Sequence, residues 1–243
     1  MKLFNGTAIL MGLVLTLTIA GCSSSSDSGT ITPVVPLDVL PGIYTGTITP
    51  DGDVPTDITT LITSDGRFAI IPDTNEGALG TVANGVLTGT IYSTSIIPLV
   101  ATVTSINAGT VSGTYVATLG PGVVETGTFT LTADAALYSR GAALAKLEGI
   151  WNNAGDTISW VIQADGSFTA TFPAPCTASG NFTTIDVANN EYSLSVTTTN
   201  CSVNDTFSGV GALGDDLAAN DNRQLSFVFG DTSTGSTLTL IKK

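Results

Sequence analysis

Residues 158–172 read Ile-Ser-Trp-Val-Ile-Gln-Ala-Asp-Gly-Ser-Phe-Thr-Ala-Thr-Phe. Ile158, Trp160 and Ile162 alternate with Thr157, Ser159 and Gln163, and Phe168, Ala170 and Phe172 alternate with Ser167, Thr169 and Thr171. Successive side chains of a strand point to opposite faces, so each run is a strand with one apolar face. Asp165-Gly166 between them supplies the residues of a tight hairpin turn. The same period returns at Tyr192, Leu194 and Val196, which alternate with Ser193, Ser195 and Thr197.

Working outward, the turn signals Asn189-Asn190, Gly214-Asp215 and Gly230-Asp231 bound further runs. Strands are expected near 149–153, 156–164, 166–172, 177–185, 191–199, 205–213, 223–229 and 236–242. The chain also matches itself. Leu40-Pro41-Gly42-Ile43-Tyr44 recurs as Leu147-Glu148-Gly149-Ile150-Trp151, and Ser64-Asp65-Gly66-Arg67-Phe68 recurs as Ala164-Asp165-Gly166-Ser167-Phe168. Gly80 then finds Gly180, and Ser112-Gly113 finds Ser208-Gly209. This pattern predicts a duplication in which the first copy carries about seven extra residues, assigned to the loop from Pro50 to Pro55. Between the copies, Ala133, Leu137, Leu144 and Leu147 recur at helical spacing behind Asp134, a capping residue, with Gly141 as a weak point.

Sequential strands joined by short turns pair most simply as a meander, and closing eight of them removes both exposed edges. The expected fold is therefore all-β, with two tandem eight-stranded up-and-down barrels joined by a short helix. Boundaries follow at 1–21 for a leader, 22–39 for a tether, 40–132 and 148–243 for the barrels, and 133–147 for the connecting helix. The opening Gly42-Ile43-Tyr44 and Gly149-Ile150-Trp151 resemble the first strand of lipocalin-like barrels. The longer run of Leu147, Gly149, Trp151, Asp165-Gly166, Phe168, Cys176, Gly180, Tyr192, Cys201 and Phe207-Ser208-Gly209 resembles repeats of bacterial lipoproteins, a resemblance that implies no particular activity. A sixteen-stranded transmembrane barrel is disfavoured by strands of about seven residues where a span needs ~9–11.

At the N-terminus, Lys2 precedes an apolar stretch from Ile9 to Ile19, and Ile19-Ala20-Gly21-Cys22 closes it with small residues before a cysteine. This resembles a bacterial lipoprotein signal. The resemblance implies cleavage before Cys22, acylation of its sulfur and new amine, and stable membrane attachment. Ser23 stands where an inner-membrane retention signal would carry Asp, which implies the outer membrane. Residues 23–39, Ser-rich and punctuated by Pro33 and Pro36, read as a flexible tether with an r.m.s. reach of about 20–25 Å.

Composition narrows the chemistry. The 243 residues include no His, 7 basic and 20 acidic side chains, for a net charge of −13. Cleavage before Cys22 removes only Lys2 among charged groups and leaves −14. Without His, Ser-His-Asp, Cys-His and His-liganded metal sites are excluded, and the acidic balance argues against nucleic acid as a partner. No acid interrupts the inward alternation of the second copy, so no catalytic residues and no cofactor are expected. Cys176 and Cys201 remain as an even pair in an oxidising envelope, which predicts a disulfide. Both flank a hairpin centred on Val187–Asn190, but their numbers sum to an odd value while regular pairing needs an even one. A one-residue bulge, at Gly180 for example, or an off-register link would reconcile the two.

Acids cluster at turn tips: Asp51 and Asp53, Asp73 and Glu76, and Asp215, Asp216 and Asp221 with Asn220 and Asn222. Their oxygens suit Ca²⁺, but none shows the spaced ligands of an EF-hand, and turn chemistry accounts for them. Asp51, Asp53, Asp215, Asp216 and Asp221 are instead expected to form recognition loops for a basic envelope protein on a rigid platform. The resulting expectation is a non-enzymatic binding or structural module held to the membrane by its lipid. The alternatives are a carrier of a small apolar ligand in a barrel cavity and a lipocalin-like protease inhibitor.

Overall fold

The computed structural model describes residues 39–72, 76–216, 218 and 221–243. Cys22, its leader and most of the tether lie outside the described residues, as do Asp73 and Asn220. Strands β1 (Gly42–Pro50), β2 (Thr56–Ile62), β3 (Arg67–Pro72), β4 (Gly77–Ala83), β5 (Val86–Tyr92), β6 (Ile96–Asn107), β7 (Thr110–Gly120) and β8 (Val123–Ala133) form one closed antiparallel barrel. Strands β9 (Gly149–Asn152), β10 (Ser159–Ile162), β11 (Ser167–Thr171), β12 (Thr177–Asp186), β13 (Glu191–Thr199), β14 (Thr206–Gly214), β15 (Gln224–Gly230) and β16 (Gly235–Lys242) form a second. Every strand pairs with its neighbours in sequence, and each barrel closes first strand against last. The register runs from Tyr44 opposite Ala133 to Pro50 opposite Gly127 in the first barrel, and joins Lys242 to Trp151 in the second. The chain is thus all-β with two tandem eight-stranded barrels, and its period of two follows from strands with one face turned inward.

Each interior is filled by rings set against glycines. In barrel 2 the Trp160 ring lies 4.3 Å from Phe168 and 5.0 Å from Phe227, and Phe182 lies 5.4 Å from Phe168 and 5.9 Å from Phe227. Room for these rings comes from missing side chains: a Cβ on Gly180 would fall 2.8 Å from Phe168, and one on Gly80 would fall 2.6 Å from Phe68. Phe68 is opposite Gly80, and Phe168 opposite Gly180, so these landmarks of the repeat are equivalent in space. Barrel 1 has Thr60 opposite Tyr44 where barrel 2 has Trp160 opposite Trp151, and its interior leaves a void of about 20 Å³.

The fourth landmark of the repeat is not equivalent. Gly113 lies on β7, the seventh strand of its barrel, whereas Gly209 lies on β14, the sixth strand of the other. The extra residues of the first copy also fall elsewhere than expected. β1 and β2 have nine and seven residues against four each for β9 and β10, so the additional length is paired strand and not loop. β10 starts at Ser159 because Asn153 Oδ1 accepts from the Thr157 and Ile158 amides, and Asp156 adopts φ of 51° in that turn.

The connection is two short helices, α1 (Ala135–Tyr138) and α2 (Leu144–Leu147), where a single helical run was expected. Asp134 Oδ1 accepts from the Leu137 amide at 2.8 Å and caps α1. Gly141 adopts φ of 67°, which ends the helical path. A Cβ there would press on the Val187 carbonyl at 2.9 Å. Lys146 Nζ then bonds the Arg140 and Gly141 carbonyls left free by the break, at 2.7 and 2.8 Å. The purpose of α2 is visible in its burial: Leu147 is fully buried in the barrel 2 core, with Ala142 and Leu144 beside it, so the connection closes one barrel end.

The disulfide joins Cys176 to Cys201 with Cα atoms 4.3 Å apart. Gly180 pairs regularly with Val196, so no bulge lies there; the register shift falls between Thr184 and Asp186 near the turn. The link is off-register, reached just past the last pair, Thr177 with Thr199, where Asn200 turns the chain at φ of 56°.

Candidate functional site

Outward residues of β1–β5 should be polar if barrel 1 stood alone in water, but Ile43, Leu61, Ala69, Ile71 and Tyr92 are apolar and buried. They pack with Val210 and Val228 from the outer face of barrel 2. Both faces of these strands are therefore covered, which explains the unbroken apolar runs Ala69-Ile70-Ile71 and Phe227-Val228-Phe229. The barrels meet closely because glycines line the seam. Gly230 and Gly235 sit under the Tyr92 ring, whose hydroxyl donates to the Asp231 carbonyl at 3.0 Å, and Gly77 faces Thr237.

Polar contacts clasp the same seam. The β2–β3 turn inserts Ser64, whose amide donates to Glu191 Oε2 at 2.9 Å and whose hydroxyl donates to Glu191 Oε1. Tyr138 of α1 donates to Glu191 Oε2 at 3.3 Å. Glu191 is fully buried at this junction, outside either barrel interior. Burial, with the charge of Glu191 next and its hydrogen bond after, raises the Tyr138 phenol well above its usual range. Arg67 donates from Nη1 to Ser193 Oγ at 3.2 Å while its other edge grips Asp65. Asn190 Nδ2 donates to the Leu137 carbonyl at 3.2 Å and the Leu213 carbonyl at 2.7 Å, tying the connection to barrel 2.

Beyond that seam the barrels diverge and leave a partly open cleft of about 840 Å³. One wall is the row Thr45, Thr59 and Ile71 on adjacent strands of barrel 1, with Ile43 and Leu61 at its base. The facing wall holds Ala212, Ser226 and Thr239 in one cross-strand row, and Gly214, Gln224 and Ile241 in the next. Leu137 of α1 and the Asp215 carboxylate stand at one end, and Asn153 and Ile158 contribute to the rim. Thr237 lies on this lining with its Oγ1 buried and lacking a protein partner. Volumes of this size are typical of seats for small molecules or short segments, and such seats favour domain junctions.

The predicted recognition loops separate in the structure. Asp215 reaches the cleft, where Arg140 Nη1 and Nη2 bond its two oxygens at 2.6 and 2.7 Å. That pairing, ahead of desolvation, raises the already high pKa of Arg140. Asp221 organises its own loop, accepting from the amides of Asp216 at 3.1 Å, Ala218 at 3.0 Å and Arg223 at 3.0 Å. Asp216 is exposed. Asp51 and Asp53 lie at the opposite end of β1 from Ile43, beside the β7–β8 hairpin. There Asp51 accepts from the Thr126 hydroxyl at 2.5 Å, and Tyr115 donates to Glu125 Oε1 at 2.8 Å. Burial first, then the Glu125 hydrogen bond and the charges of Glu125, Asp51 and Asp53, push the Tyr115 phenol far up. Among the described residues no three His, Cys, Asp or Glu side chains come together as a metal-holding group.

Sequence reasoning did not find the cleft, because its residues are common Thr, Ser and Ile on outer faces. The signal that could have located its border is the loss of alternation in β3 and β15. The chain matches no family model and no curated protein. Among solved structures it is similar to Aeromonas veronii immune modulator A, at 12% identity over 86% of this chain and 96% of that one, with a TM-score of 0.38. A likeness at that level carries no argument about what the chain does.

Proposed function

We propose that this chain is an outer-membrane lipoprotein, acylated at Cys22, that acts as a non-enzymatic binding module of the cell envelope with the inter-barrel cleft as its ligand seat. The observation that carries the reading is the cleft of about 840 Å³ between two barrels whose interiors are occupied by side chains. A ring-filled core in barrel 2 and a void of about 20 Å³ in barrel 1 favour the junction as the place of capture. The site is built on strands and clasped by Glu191, Arg67 and Tyr92, so its walls are rigid before a ligand arrives. The acidic end of barrel 1, where Asp51, Asp53 and Glu125 lie near Tyr115, favours a second contact with a basic envelope protein that weakens as salt rises.

Fractionated membranes and native mass spectrometry test both halves of the proposal. Cys22→Ala is expected to vanish from the outer-membrane fraction, and unchanged partitioning would sink the anchoring. Wild-type protein extracted from its own membranes is expected to carry an added mass that Thr239→Trp, a cleft-filling change at an exposed strand position, loses. Identical masses for the two proteins would remove the cleft from the reading.

A further inference from the structure

We infer that the cleft accepts an uncharged polypeptide segment in extended conformation, with aliphatic and hydroxyl-bearing side chains; this rests on the cleft being the ligand seat. The first argument is spacing. Gln224 and Ser226 on β15, and Thr237 and Thr239 on β16, are alternate residues that face outward on one wall. Alternate residues on a strand repeat at about 6.6 Å, the same repeat as the like-facing backbone groups of any extended chain. A segment lying along these strands meets a polar side chain at each repeat. Thr45 and Thr59, paired across β1 and β2, offer hydroxyls from the other wall.

The second argument is satisfaction of polar groups. An extended segment entering a half-closed cleft must find partners for its amides and carbonyls, because each one buried without a bond is costly. It cannot obtain them by adding a strand to a sheet, since both barrels are closed and have no free edge. Side-chain hydroxyls and carboxamides, which both donate and accept, replace the missing edge.

The third argument is charge and shape. Among the described residues the cleft lining contains a single carboxylate, Asp215, and Arg140 holds both of its oxygens. Among the described residues the lining has no Lys or Arg, so an anionic segment would enter without a counter-charge and against a net charge of −13. Among the described residues it has no aromatic ring either, the usual platform for a sugar face, while the part-exposed Leu137, Ile158 and Ile241 provide aliphatic surface. Aliphatic side chains on alternate positions of the segment fill that surface while its backbone meets the hydroxyl rows.

The test uses the full lipidated protein in detergent and a pool of capped octapeptides built from Thr, Ser, Val, Ile and Ala with one photo-reactive leucine. Saturable labelling of β1, β2, β15 and β16 is expected, at least tenfold weaker in Thr239→Trp and unchanged in Thr197→Trp on an exposed strand position outside the cleft. A pool with Glu at two positions is expected to bind at least tenfold more weakly. Labelling that is unsaturable, maps elsewhere or ignores Thr239→Trp overturns the peptide assignment. A photo-reactive neutral diacylglycerol or an uncharged oligosaccharide that labels the cleft while the peptide pool does not would overturn the ligand class and leave the seat standing. Failure of every probe to label the cleft, with no added mass in native protein, overturns both readings.

Discussion

Tyr44 and Trp151 perform one task in two barrels. The Tyr44 hydroxyl donates to the Leu40 carbonyl at 2.7 Å, and Trp151 Nε1 donates to the Leu147 carbonyl at 2.6 Å. Each ring fills a barrel end while its polar atom closes the chain four residues back, which is why a Leu-x-Gly-x-aromatic pattern opens both copies. Among acids, Glu125 has the most telling surroundings. Burial, then the nearby Asp53 charge, raises its carboxyl above the ordinary 4.5, against the pull of the Tyr115 hydrogen bond. Folded protein then binds this proton more tightly than the unfolded chain does. Its contribution to stability is full below the unfolded pKa and is lost as pH rises through the folded one. Burial raises Glu76 in the same direction. Asp65 has the opposite sign: burial opposes, but Arg67 and the Thr63 hydroxyl hold it below 3.8, so its contribution is lost only as pH falls through that lowered value. Melting temperature is therefore expected to rise as pH falls from neutrality towards the ordinary carboxylate range. Glu125→Gln should raise it at the upper pH and flatten that rise, as a calorimetric pH series will record; an unaltered profile in the variant would refute the assignment.

At the scale of elements, the β12–β13 hairpin depends on its ends. Its ladder is regular from Thr177–Thr199 to Thr184–Tyr192, and Cys176–Cys201 crosslinks the chain just outside it, across a sequence separation of 25. Closing such a loop in the unfolded chain is worth about 3.5 kcal/mol in the chain-entropy picture. Cys201→Ser is expected to lower unfolding stability by up to about that amount, read from the denaturant midpoint of the whole protein. Reductant should produce the same shift in wild type and none in the variant. Two titratable thiols in the oxidised mature protein would contradict the bond. The connection between barrels shows the converse of a stapled element: four-residue helices have little intrinsic stability, and α1 and α2 persist because Asp134, Lys146 and the buried Leu147 supply caps and packing.

For the whole molecule, the seam between barrels decides whether two domains behave as one. Val228 is fully buried on the outer face of β15 against residues of barrel 1, and Glu191 is buried beside Ser64 and Tyr138. A carboxylate at position 228 would be buried among Ile43, Leu61, Ala69 and Ile71, so it is relieved only when the barrels part. Wild type is expected to show one calorimetric transition. Val228→Asp should split it into two and lower the affinity of any cleft ligand, because the cleft walls come from different barrels. A single unshifted transition in Val228→Asp would show that the seam does not couple them.

Alternation of apolar and hydroxyl residues, with Asp-Gly and Asn-Asn turns, determined the strands to within a few residues and so determined the barrels. The cause is local: strands with one apolar face, joined in sequence by short turns, pair as a meander, and closing it buries that face and removes both edges. The pairing of Cys176 with Cys201 was legible from their positions either side of one hairpin, although the off-register geometry depended on how Asn200 turns. Gly141 marked the weak point of the connection, but its positive φ and the resulting break follow from docking against Val187 and the barrel 2 core. The cleft was decided by tertiary structure alone. Thr45, Thr59, Ser226 and Thr239 read as ordinary outward residues, and nothing in their spacing within a strand says which outward faces will meet. That choice follows from the apolar strip of Ile43, Leu61, Ala69, Ile71, Val210 and Val228, which brings two separately closed sheets together to bury surface neither can cover alone.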